Sequence, residues 1–157
     1  MQSETDFMQL AIQLATENVR SGAGGPFGAV VVRNGEVVAT GVNRVTSHND
    51  PTAHAEVNAI REACKALGTF QLPGCVLYTS CEPCPMCLGA IYWARLDSVC
   101  FGNTCHDAAE VGFADHFIYE DLAVPRNQRK LPMVRLLPER AIESFRAWQE
   151  HQSKISY

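Results

Sequence analysis

The chain has 157 residues, 46% hydrophobic and 19% charged, with a formal net charge of -4. That length suits a single domain, residues 1–157, which buries roughly 70% of its unfolded surface and needs no covalent staple. The acidic balance argues against a broad nucleic-acid surface. No apolar run is long enough for a bilayer, and the start, MQSETDFMQL, lacks a secretory pattern, so a cytoplasmic location is expected.

In chain order, Ser3 to about Gly22 reads as a helix. Ser3 and Asp6 have capping spacing, Phe7, Leu10, Leu14 and Val19 recur at helical intervals, and Gly22, Gly24 and Gly25 end the run. GAVVVRNGEVVATG (28–41) places two β-branched runs around Asn34-Gly35, a hairpin signal. NRVTSHNDPT (43–52) reads as a polar loop. A second helix is expected to start at Asp50-Pro51 or Thr52, with Val57, Ile60, Cys64 and Leu67 on its apolar face and Gly68 at its end. CVLYTS (75–80) is a buried strand that leads into a third helix, through about Trp93. DSVCFG (97–102) is a further strand. Residues 103–130 are mixed, with a short helix near Asp107; PMVRLL (132–137) is a last strand, and Pro138 to about His151 a final helix. Helices alternating with strands after an initial hairpin predict an α/β fold, a sandwich with helices on both faces of a mixed sheet.

The seven cysteines are an odd set, and three crowd into CEPCPMC (81–87). That is not a secreted disulfide framework; in a reducing compartment it signals metal or redox chemistry. Cys64, Cys75, Cys100 and Cys105 sit among apolar neighbours and read as small buried hydrophobes. Cys84 and Cys87, three apart at a helix start, put both sulfurs on one face, where the helix N-terminus favours thiolate. Pro83 and Pro85 fit a first turn, whose amides have no acceptor to lose. Cys81 lies before the helix and is expected to be a pocket or core thiol. An iron–sulfur run would want a fourth cysteine, but position 91 is Ile91. A structural zinc site would want a second ligand pair, which the other cysteines do not form. A redox pair rests on C-x-x-C alone.

The upstream partner is T-A-H-A-E, with His54 and Glu56. Helix N-termini converge at one edge of such a sheet, so His54, Cys84 and Cys87 can meet at one zinc ion. H-x-E followed by P-C-x-x-C is the zinc deaminase pattern. Three protein ligands leave a fourth position for water, whose pKa falls from ~16 to ~7 on zinc. The hydroxide attacks a ring carbon bearing an amino group, and Glu56 shuttles the protons, a role typically worth ~10² to 10⁴ in rate. The glycine-rich GAGGPFG (22–28) is not a phosphate loop, because Pro26 has no amide donor and the Lys-Ser/Thr ending is missing.

At these residues the chain resembles the cytidine deaminase-like superfamily. DPTAHAE (50–56), SCEPCPMCLGAIYWAR (80–95), GGPFGAV (24–30), AAEVGFADHFIY (108–119) and the terminal Tyr157 are similar to the small zinc-dependent guanine deaminases within it. The two metal motifs are shared with tRNA adenosine deaminases; the third long segment and the tail carry the discrimination. The resemblance implies a three-layer α/β/α sandwich with a five-stranded sheet and one zinc per chain. It implies hydrolysis of guanine to xanthine and ammonia. It also implies that Asn43 hydrogen-bonds the purine, that Phe27 and Trp93 wall the ring, that Asp115 is a second acid near the exocyclic amine, and that Tyr157 helps cover the pocket. The C-terminal segment is exchanged between subunits in that family, so a homodimer is expected. Two other substrates stay open: tRNA, through the basic cluster Arg126, Arg129, Lys130, Arg135 and Arg140, and other amino-substituted rings such as ammeline.

Overall fold

The structure is a computed structural model that describes residues 2–157. It forms two compact units, Met1–His116 and Phe117–Tyr157. The first unit contains α1 (Glu4–Arg20), β1 (Gly28–Arg33), β2 (Glu36–Val42), α2 (Val45–His48), α3 (Ala55–Leu67), β3 (Cys75–Cys81), α4 (Pro85–Ala94), β4 (Ser98–Asn103) and α5 (Cys105–Glu110). The second holds most of α6 (His116–Ala123), a 3₁₀ turn at Arg126–Gln128 and α7 (Pro138–Glu150).

Local chemistry sets the boundaries. Ser3 and Asp6 form the reciprocal capping box that opens α1. Asn34 and Gly35 both adopt positive φ, as a type I′ hairpin turn requires. Thr104 and Asp107 cap α5 in the same reciprocal way. The expected second helix starts later than its sequence suggests. Asp50 Oδ1 accepts from the Thr52 amide (2.8 Å) and hydroxyl (2.7 Å), a local turn that competes with helix. Residues 45–48 form one helical turn within the expected loop.

The sheet order is β2-β1-β3-β4, with β1 antiparallel to β2 and to β3, and β3 parallel to β4. Alternate residues of β1 face opposite layers. Ala29 and Val31 join Ala55, Ala59, Ile60, Leu77 and Ile91 in the core under α3 and α4. Val30 and Val32 join Phe7, Ala11 and Tyr78 under α1. This is the expected three-layer sandwich, and full burial of a side chain such as Leu77 contributes about 2 kcal/mol. α3 lies hard against β2: a Cβ on Gly41 would come 2.2 Å from the Ala55 carbonyl oxygen.

Among the described residues the sheet has four strands where five were expected. Residues 132–137 form no strand, and Leu131, Met133, Val134, Leu136 and Leu137 are all exposed. Their apolar pattern calls for a covering surface, and Pro132 and Pro138 bracket the run with residues that cannot donate to a ladder.

The topology positions the site. β2 and β3 are both antiparallel to β1 and so run parallel to each other. Their C-terminal ends lie at one edge of the sheet, and α3 and α4, which follow them, start there.

Candidate metal and active site

His54 and Cys84 are the N-cap residues of α3 and α4, both extended, and neither uses its side chain to cap its helix. Both side chains are therefore available to ligate. Cys87 lies one turn into α4 and is fully buried. The three ligand atoms lie within 4.8 Å of one another. His54 Nδ1 is 3.5 Å from Cys84 Sγ and 3.5 Å from Cys87 Sγ. A tetrahedral zinc with nitrogen at about 2.05 Å and sulfur at about 2.3 Å holds the two about 3.6 Å apart. The donor set therefore fits zinc in both chemistry and spacing, with Nδ1 as the ligating nitrogen.

The protonation pattern points the same way. The Cys84 thiol is pulled down to about 4, chiefly by the hydrogen bond from Cys87 and then by His54. The same bond, with burial, pushes Cys87 the other way. Without a cation the pair carries one negative charge, and a divalent ion is what lets both thiols ionise. The bond to Cys84 raises the His54 pKa.

Glu56, in the first turn of α3, is only 4% exposed. Burial raises its pKa. The buried Thr79 hydroxyl donates to its Oε1 at 3.1 Å, and Cys87 Sγ lies 3.4 Å from Oε2. Cys81 stands apart from the ligand group. It ends β3, donates to the Thr104 carbonyl at 3.7 Å, and burial pushes its thiol up to about 11. Of the cysteines read as buried hydrophobes, Cys75 is buried, whereas Cys64, Cys100 and Cys105 are intermediate.

His54, Glu56 and Cys84 open onto a cavity of about 550 Å³, a size suited to a small-molecule site. Phe27, Asn43 and Asp115 line it too, so six sequence-predicted residues share one chamber. Asn43 is buried, and its Oδ1 accepts from the Gly25 amide (3.2 Å) and the Val45 amide (3.3 Å). Asp115 is half-buried, which raises its pKa. Phe27 packs edge-to-face on Phe113, with centroids 4.9 Å apart and ring planes at 86°.

One expectation falls outside the chamber. Trp93 is 62% exposed and is not among the residues that line it: α4 turns Cys87, Ile91 and Ala94 inward, and Trp93 sits about 100° around the helix from Ala94. Tyr157 belongs to the second unit and is 72% exposed. The basic cluster also lies in the second unit, where Arg129 bonds the Leu122 carbonyl. Sequence reasoning missed Phe113 and Thr79. Phe113 stood inside the quoted segment 108–119, whereas a threonine within a buried strand carries no pattern of its own.

The family model described as the cytidine and deoxycytidylate deaminase zinc-binding region matches residues 1–103. The chain is 52% identical to guanine deaminase of Bacillus subtilis (strain 168) over 157 residues, all of both chains. It is 51% identical to the tRNA-specific adenosine deaminase of the same organism, but over 77 residues, 49% of this chain and 48% of that protein. Its fold is similar to a crystal structure of guanine deaminase from Bacillus subtilis, with a TM-score of 0.97 over 99% of each chain and 51% identity.

Proposed function

The chain belongs to the zinc-dependent cytidine and deoxycytidylate deaminase family, and from that premise we propose that it hydrolyses guanine to xanthine and ammonia. The observation that carries the reading is the likeness to a guanine deaminase along the whole chain, beyond the shared zinc motifs. The likeness to the tRNA-specific adenosine deaminase of Bacillus subtilis is shorter, covering 77 residues and 49% of this chain.

His54, Cys84 and Cys87 hold the zinc. When bound, it supplies Lewis acidity that makes water nucleophilic near neutral pH. Glu56 moves the protons. Thr79 fixes its Oε1, which leaves Oε2 to carry the incoming water's first proton to a ring nitrogen, where it stays, and the second to the leaving amine. Water and guanine give xanthine and ammonia with no other reactant. Phe27 and Phe113 form an apolar wall for the flat ring, Asn43 reads a ring acceptor, and Asp115 accepts from the exocyclic amine. Steady release of xanthine and ammonia from guanine by the zinc-loaded protein is the expected result; no turnover at full zinc occupancy refutes the assignment.

The same reading makes the chain a cytoplasmic homodimer whose C-terminal segment, with Tyr157, passes to the second copy and covers its cavity. Its support is the series of exposed apolar side chains along residues 131–157, including Leu131, Val134, Leu136 and Phe145, which a second copy would cover. Sedimentation should give a dimer, and a fully active monomer rules the exchange out.

A further inference from the structure

Two buried polar side chains, Asn18 and Ser80, remain outside the chemistry described so far, and Asn18 is the one bonded to residues that line the cavity. α1 buries Phe7, Ala11, Ala15 and Asn18, and Asn18, at 5% exposure, holds the position that an apolar residue would otherwise fill. Its Nδ2 donates two hydrogen bonds, to the Gly25 carbonyl at 2.9 Å and to the Asn43 carbonyl at 2.9 Å. A buried amide is costly unless it is satisfied, and here both bonds go to the cavity wall.

The wall is closed into a ring of contacts. The Gly25 amide donates to Asn43 Oδ1 while its carbonyl accepts from Asn18, so Gly25 is held at both ends. Asn43 Oδ1 also accepts from Val45, which engages both of its lone pairs. Only the Asn43 Nδ2 is left to address the cavity, and it presents a donor. The backbone wraps tightly at the same place: a Cβ on Gly24 would lie 2.1 Å from the Asn43 carbonyl oxygen and 2.9 Å from Asn18 Nδ2.

We infer that Asn18 is a positioning residue for ring recognition, locking the Asn43 amide in the orientation that offers its N–H to the substrate. The inference rests on the guanine reading for its choice of substrate. The hydrogen bonds of the Asn18 side chain go to Gly25 and Asn43, and not to a metal ligand or Glu56, so its effect belongs in binding and not in the chemical step. A group that holds ground state and transition state alike changes KM and leaves kcat alone.

The test is steady-state guanine kinetics on zinc-loaded Asn18→Asp. This variant has nearly the same shape, but its carboxylate cannot donate to either carbonyl. The expected result is KM raised about tenfold or more, kcat within about threefold of the parent, a parallel rise in the xanthine inhibition constant, and unchanged zinc content. Unchanged KM, a fall in kcat at constant KM, or joint loss of zinc and kcat overturns the inference. Gly24→Ala leaves the sequence of α1 unchanged and crowds the same wall, its added Cβ falling against the Asn43 carbonyl and Asn18 Nδ2. It serves as the second variant should Asn18→Asp not fold, with the same expected split and the same overturning results. Failure of the parent protein to deaminate guanine refutes the functional reading; an active parent with an indifferent Asn18 refutes this one alone.

Discussion

The two walls of the cavity are built on different principles. The metal wall stands on regular structure: His54 and Glu56 open α3, Cys84 and Cys87 open α4, and Thr79 comes from β3. The ring wall stands on connections: Gly25 and Phe27 before β1, Asn43 after β2, and Phe113 and Asp115 after α5. Reacting atoms must be fixed closely for proton transfer, and helix ends over a packed sheet provide that. Connecting segments change at little cost to the core, so one chemistry can serve several rings. If this division is real, substitutions on the metal wall should strike kcat or zinc content and those on the ring wall should strike KM.

The largest effect should come from the ligands. Cys84→Ser should lose zinc and drop guanine turnover to background. Cys81→Ser, three residues earlier and bonded to backbone groups, should keep both. Metal content by elemental analysis, beside activity, checks the pair. Zinc loss in Cys81→Ser would redraw the ligand set.

Next in size is Glu56→Gln. Removal of a positioned proton carrier typically lowers turnover by ~10² to 10⁴. Gln keeps the shape and a group that Thr79 can bond, so zinc content and KM should hold while kcat falls. A variant with near-parental kcat would place the proton shuttle elsewhere.

A smaller effect is expected across the cavity. Phe113→Ala removes the edge-to-face partner of Phe27, an interaction worth about 0.5–1.5 kcal/mol beyond area burial. KM for guanine should rise roughly three- to tenfold with kcat little changed. A fall in kcat at constant KM would mean that the ring wall also orders the chemistry, and the division between walls would fail.

The same division explains what the sequence could disclose. The metal wall was legible because its ligands are held by short spacings, H-x-E and C-x-x-C, whose geometry follows from the first turn of a helix. That the two short motifs meet follows from parallel β2 and β3. The ring wall is scattered from Gly25 to Asp115, and only the resemblance to a family gathered Phe27, Asn43 and Asp115. Asn18 and Thr79 stayed hidden because a polar residue in a buried stripe shows its partner only in three dimensions. PMVRLL shows a further limit. Its apolar composition records that something must cover it, not whether a neighbouring strand does, and it adds no fifth strand to the sheet among the described residues.

The smallest expected effect concerns stability without metal. Burial raises the Glu56 pKa above its usual 4.5, so the folded metal-free protein binds a proton there that the unfolded chain has already released. Stability therefore falls as pH rises through that window, from 4.5 up to the raised value, and the penalty is complete above it. Gln at position 56 carries no charge and escapes the penalty. Glu56→Gln should then be more stable than the parent at pH 8, in chelator and reductant, and the gap should close as pH approaches 4.5. Denaturant titrations of both proteins at the two pH values measure it. Zinc should narrow the gap at pH 8, because a cation beside the carboxylate compensates its buried charge. A gap that is absent at pH 8, or that widens toward acid, would mean that Glu56 is well solvated in the folded state. The low-dielectric pocket in which its proton transfer is meant to work would then be missing.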